Sequence, residues 1–126
     1  MDIQSYKDLR VWQLGIDIAL DIYKHTKSYP KEEIYGFTSQ MRRCAASIPA
    51  NLAEGASRES TKQLLHHVAI AMGSVAELET FLILAKKLSF GNPAEISNLL
   101  ERLAEEGRML RGLQRSLKTK LTATDH

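Results

Sequence analysis

One cysteine, three prolines, seven glycines and an aromatic content of 6% are what this 126-residue chain has little of. The lone Cys44 excludes an internal disulfide and a cysteine-rich zinc site, and it points to a reducing, cytoplasmic setting. The first residues, Met1-Asp2-Ile3-Gln4-Ser5, lack a basic stretch followed by an apolar one, so no signal peptide is expected. Long apolar runs are missing too. The greasiest stretch, Val68 to Ala76, meets Glu77 well short of the roughly 18 residues a span needs, and no contact with a membrane is expected. Charge of one sign is also absent: 17 basic residues face 15 acidic ones, for a net charge of +2. Such a balance neither demands nor excludes a polyanionic partner.

What is present is ordinary globular material, 44% hydrophobic and 25% charged. Residues 1–126 form one domain, which at this size buries roughly two-thirds of the unfolded surface. The scarce breakers divide it into four helices, at about 5–26, 38–55, 60–88 and 93–121. Ser5 and Asp8 are spaced like a capping box, and Pro30 stops the first helix. Lys31-Glu32-Glu33 has room for one short turn. Gly55 is placed as the cap of helix two. Ser60-Thr61-Lys62-Gln63 opens helix three, which stops at Gly91. Asn92-Pro93-Ala94-Glu95 opens helix four with a capping Asn and a proline at the first helical position. The tail Thr122-Ala123-Thr124-Asp125-His126 is expected to fray. Short connections make helices two, three and four antiparallel neighbours.

Periodicity agrees. Leu64, Val68, Ala71, Val75, Leu78, Leu82 and Ala85 line one face of helix three. Ile96, Leu99, Leu103, Leu110, Leu113, Leu117 and Leu121 fall on one arc of helix four. Phe37, Met41, Cys44, Ile48 and Leu52 do the same in helix two, which makes Cys44 a small core residue rather than a nucleophile. Nothing alternates with period two. The class is all-α, an antiparallel up-and-down four-helix bundle whose second helix Pro49 should kink by removing the donor to Ala45. Ser47 or Asn51 stands ready for the freed groups.

Helix one has too much apolar surface. Leu9, Trp12, Ile16, Ala19, Leu20 and Tyr23 share one face, while Val11, Leu14, Ile18 and Ile22 lie nearly opposite. A bundle helix needs one buried stripe. The second, read as Val11, Leu14, Ile18 and Ile22, then serves as an interface between copies of the chain, unless the following loop folds back over it.

Two charged groupings remain. Around Pro49, Arg42, Arg43, Glu54 and Arg58 gather on an apolar hairpin, and Glu77 and Glu79 face them from helix three. They either form an ion-pair network that locks the two helices, with Arg42 or Arg43 on Glu77 or Glu79, or line a charged pocket or pore. Further on, Arg108, Arg111, Arg115 and Lys118 make a stripe at three-and-four spacing, with Lys120 nearby. It is either a solvated face at a helix C-terminus or, multiplied by symmetry, a band for a phosphate backbone. Catalysis is not expected. None of His25, His66, His67 and His126 sits in a Glu-x-x-His motif, so a di-iron bundle site is not indicated. No nucleophile–base pair and no phosphate-cradling glycine loop stands out, so no catalytic residue, metal or cofactor is assigned.

Several segments resemble a known family: Leu9-Arg10-Val11-Trp12-Gln13, the run from Tyr35-Gly36-Phe37 to Met41-Arg42-Arg43, Ser47-Ile48-Pro49-Ala50-Asn51-Leu52-Ala53-Glu54-Gly55 with Arg58, and Gly73-Ser74-Val75-Ala76-Glu77-Leu78-Glu79. Together, over about residues 5 to 90, they look like the four-helix-bundle proteins encoded in intervening sequences of bacterial 23S rRNA genes. That family is similar to the accessory variability determinants of diversity-generating retroelements. The resemblance implies a ring-like homo-oligomer, typically a homopentamer, with no known enzymatic activity. Through the retroelement relatives it also implies binding to RNA or DNA, or to a nucleic-acid-processing protein. The polar motif residues it carries are Arg42, Arg43, Asn51, Glu54, Arg58, Glu77 and Glu79. A protein-only adaptor with a merely solubilising stripe is the other reading.

Overall fold

The computed structural model describes residues 5–124. Residues 1–4, on which the reading of the N-terminus rests, and Asp125 and His126 lie outside the described residues. Among the described residues there are four α-helices and no strand: α1 Arg10–His25, α2 Phe37–Ser57, α3 Thr61–Lys87 and α4 Pro93–Thr124. Each packs chiefly on its two neighbours, α1 on α2 and α4, and α3 on α2 and α4, as a four-helix bundle does.

The capping residues explain most of the boundaries. Ser60 accepts from the Gln63 N–H at 3.2 Å and starts α3. Asn92 accepts from the Ala94 and Glu95 N–H groups at 2.8 and 3.2 Å, with Pro93 at the first position of α4. At the end of α3, Phe90 N–H reaches Ala85 O at 2.8 Å and Ser89 N–H reaches Lys86 O at 3.1 Å, with Ser89 itself at φ 60°. That is the Schellman closure, made by a serine rather than a glycine. Lys31–Glu33 forms its short turn, a 3-10 one.

Three boundaries differ from expectation. Ser5 caps only a 3-10 turn, Tyr6–Asp8, and the extended Leu9 separates that turn from α1. Gly55 does not end α2, which runs on to Ser57 before Glu59 takes φ 57°. Gly55 is a contact instead: a Cβ there would lie 2.7 Å from the His67 Cβ and 3.1 Å from Leu64, so only a hydrogen lets α2 and α3 approach. Of the tail, Thr122, Ala123 and Thr124 continue α4.

All seven apolar positions read in α3 are buried, as are Met41, Cys44, Ile48 and Leu52 in α2 and Ile96, Leu99, Leu103, Leu110 and Leu117 in α4. Each buried aliphatic side chain contributes about 1.5–3 kcal/mol over exposure. Tyr29, Phe37, Phe81 and Phe90 close one end with ring centroids 5.2–6.2 Å apart.

In α1 the expected interface face is the core face. Ile18 and Ile22 are 0% exposed and Val11 7%, while Leu14 is half-buried against the same core. Gly15 and His25 lie on that side too. The other stripe is divided: Leu9, Trp12 and Ala19 are half-buried and pack against the edge of the core, Ile16 is half-buried, and only Leu20 and Tyr23 are largely exposed, at 55% and 46%. The apolar surface that α1 leaves exposed is therefore small, and it lies on the opposite side of the helix from the one expected.

α3 also departs from expectation. By length and composition it is apolar enough to cross a membrane, because Ile70, Ile83 and Leu84 extend apolar character to its outward face. In the bundle its seven core residues pack against α2 and α4, and the core helix of a bundle passes the same test.

Candidate functional site

The hairpin charges expected to form one network are not brought together. Arg42 turns toward α1: its Nε donates to Thr26 Oγ1 at 2.9 Å, its Nη2 donates to Tyr23 O at 3.3 Å, and its guanidinium lies 4.9 Å from the Tyr23 ring centroid. Arg43 is exposed and, like Arg42, forms no ion pair with Glu77 or Glu79 among the described residues. Azimuth around α2 explains the separation. Cys44, Ser47 and Asn51 are on the side of α2 that bonds to α3, and Arg42 is about 200° around the helix from Cys44. Glu54 and Arg58 do pair, at 2.8 Å, yet only across the C-terminal end of α2 and half exposed, so the bond contributes little. The Arg58 hydrogen bond holds the Glu54 carboxyl below its ordinary value.

A seam of small polar groups joins α2 to α3 instead. The Cys44 thiol donates to Ser74 O at 3.0 Å, the Ser47 and Ser74 hydroxyls meet at 2.5 Å, and His67 Nδ1 donates to Asn51 Oδ1 at 3.0 Å. Asn51 Nδ2 donates back to Ser47 O at 2.8 Å, beside Pro49. Burial pushes the Cys44 thiol up to about 12, so it remains a core group rather than a thiolate.

Two clusters escaped sequence reasoning. At the C-terminus of α1, His25 is 3% exposed. Its Nδ1 donates to Glu95 at 2.7 Å, and its Nε2 accepts from the Tyr29 hydroxyl at 2.8 Å. Burial first, and then Glu95, push the Tyr29 hydroxyl up to about 12, so it stays a donor at neutral pH. Asp21 and Arg102 pair beside this relay at 2.5 Å, bordering an open cavity of about 400 Å³. The polar groups there are satisfied by one another, which fastens α4 to α1. Gly91 leaves room for it, since a Cβ would sit 2.6 Å from His25 Cε1.

The second is Glu106, 0% exposed at the centre of the bundle with neither carboxylate oxygen hydrogen-bonded. One oxygen lies 3.0 Å from where a Cβ would stand on Gly15, close to Pro49 and Ile48. Desolvation, and then Glu105, push its pKa up to about 8. That shift favours the neutral acid at pH 7. Among the described residues no three His, Cys, Asp or Glu side chains are grouped to hold a metal ion.

The basic stripe lies on the surface of α4. Arg108, Arg111, Arg115, Lys118 and Lys120 are all exposed on α4. Among the described residues, none of the first four forms an ion pair. Arg10 and Gln13 border the same cleft as Glu105 and Met109, so α1 begins level with Met109. The basic half of this 32-residue helix therefore projects past the start of α1.

Fold and surface define an all-helical, four-helix-bundle protein with exposed basic and apolar side chains. The chain belongs to the 23S rRNA-intervening sequence protein family, whose model matches residues 7–112. Among solved structures it is similar to a protein of unknown function from the S23 ribosomal protein family of Bacteroides thetaiotaomicron. The two share 20% identity with a TM-score of 0.74, over 82% of this chain and 97% of that one. No curated protein matches.

Proposed function

We propose that this chain is a non-enzymatic helical scaffold of the cytoplasm that assembles with copies of itself and presents the basic face of α4 to RNA or DNA, or to a nucleic-acid-processing protein. The observation that carries the reading is the row Arg108, Arg111, Arg115 and Lys118, exposed without an intervening acid on a projecting helix. Repeated around a ring, typically of five copies in the family's manner, it makes a basic band that can release counterions from phosphates. The exposed Leu20 and Tyr23 of α1, with the half-buried Ile16 beside them, supply apolar surface for assembly. In this reading Pro49 also bends α2, around the small-residue contact of Gly15 with Pro49 and Ile48.

Replacing Arg108, Arg111 and Arg115 together with Gln tests it by fluorescence anisotropy on labelled RNA and DNA. Binding should be lost while thermal stability changes little, since exposed charges contribute within about half a kcal/mol each. Unchanged affinity in the triple variant overturns the assignment. The second reading, a protein-only adaptor, is favoured by the net charge of +2 and by Glu101 and Glu105 beside the stripe.

A further inference from the structure

Where α1 passes into α2, an open cavity of about 400 Å³ has an apolar floor and a cationic rim. Tyr29, Pro30 and Ile34 supply its apolar lining, and Lys27, Lys31 and Arg42 its three cationic side chains. No carboxylate lines it, although two acids belong to the same loop. Glu33 is turned to the start of α2, where its side chain accepts from the Phe37 N–H at 3.3 Å.

Arg42 is held in place on α1. Its bonds to Thr26 and Tyr23 and its place over the Tyr23 ring hold the guanidinium. Three of its five N–H donors are left uncommitted. A guanidinium already held this way gives up little freedom when a carboxylate binds it in a fork. Thr38, 2% exposed, also lines the cavity, and its hydroxyl forms no hydrogen bond among the described residues. Ile34, in the lining, is 47% exposed, and the next residue along the chain, Tyr35, is 93% exposed.

We propose that this cavity docks an acidic, apolar peptide segment of a partner protein, its carboxylate on Arg42 and Lys31 and a neighbouring aliphatic or aromatic side chain on Pro30 and Ile34. Charge complementarity selects the acid and the apolar floor selects its neighbour. A nucleic-acid strand would bring phosphates to the rim but leave the floor uncovered, and the Tyr23 ring face that could stack a base is already taken by Arg42. The site lies at the end of the bundle opposite the projecting half of α4, so it stands or falls independently of phosphate binding there.

The test is an amide-resolved NMR titration of the full chain with the acetylated peptide Asp-Leu-Glu-Phe-Asp and with its Asn-Leu-Gln-Phe-Asn counterpart. Saturable shifts should centre on Lys27, Lys31, Ile34 and Thr38, and the neutral peptide should bind at least about tenfold more weakly, the order of one lost charge-assisted bond. Arg42→Gln should cost a similar factor. Because Arg42 also supports the loop, the exposed pair Lys27→Glu and Lys31→Glu provides a second variant that keeps the fold and should abolish the shifts. Equal binding of the two peptides overturns the proposal. So does displacement of the acidic peptide by oligouridylate, or broadening at Ile34 and Tyr35 with protein concentration alone, which would make a second copy the occupant.

Discussion

Glu106→Gln isolates the most unusual group in the fold. The carboxyl is fully buried with both oxygens unpartnered, and its pKa rises from 4.5 to about 8. Between those two values the unfolded chain has released the proton while the folded chain still holds it. The folded state binds more protons there, so stability falls as pH rises from about 4.5 to about 8, then levels off. At 1.36 kcal/mol per pKa unit the whole loss is up to about 5 kcal/mol, a large share of a small domain's stability. Urea melts at pH 5, 7 and 9, at one fixed protein concentration, should show wild type losing several kcal/mol across the series. The Gln variant, neutral throughout, should lose far less and should be the more stable protein at pH 9. Equal pH dependence in the two proteins would refute the reasoning, because it would mean that Glu106 is solvated or paired in the folded state.

Other outcomes follow from packing and caps. Ile18→Glu should unfold the chain by circular dichroism, since a charge at a fully buried site costs more than about 4 kcal/mol; Leu20→Glu should leave the helix content intact and lower the mass measured by light scattering. Gly55→Ala should destabilise by about 1–3 kcal/mol in urea melts, because the added methyl meets the His67 Cβ at 2.7 Å. Asn92→Ala removes the acceptor of two N–H groups at the start of α4 and should lower stability by about 1 kcal/mol.

The helices were legible because their signals are local. Asn92-Pro93 and Ser60 act within one turn, and the α3 stripe from Leu64 to Ala85 repeats often enough to fix its face. α1 was legible as a helix and misread as a surface, for it has two apolar stripes and periodicity does not say which one meets the core. Gly15 was the available signal: a glycine on the Val11, Ile18 and Ile22 side marks close approach, here to Pro49 and Glu106. Glu106 could also have been found, as a charge at the position that continues the arc from Leu103 to Leu110. The partners of Arg42 could not. They lie 16 and 19 residues away across the loop, and only its folded path decides that α1, rather than α3, receives the side chain.

The salt dependence of duplex DNA binding tests the central claim most directly, because its slope counts phosphates. Each neutralised phosphate contributes about 0.9 to the slope of log K against log salt, so one chain using all five basic residues from Arg108 to Lys120 reaches about 4.5. A self-assembled scaffold with a shared basic band predicts binding at low salt with a steeper slope than that. No binding at low salt, or a slope unchanged when Arg108, Arg111 and Arg115 are replaced by Gln, would contradict the account.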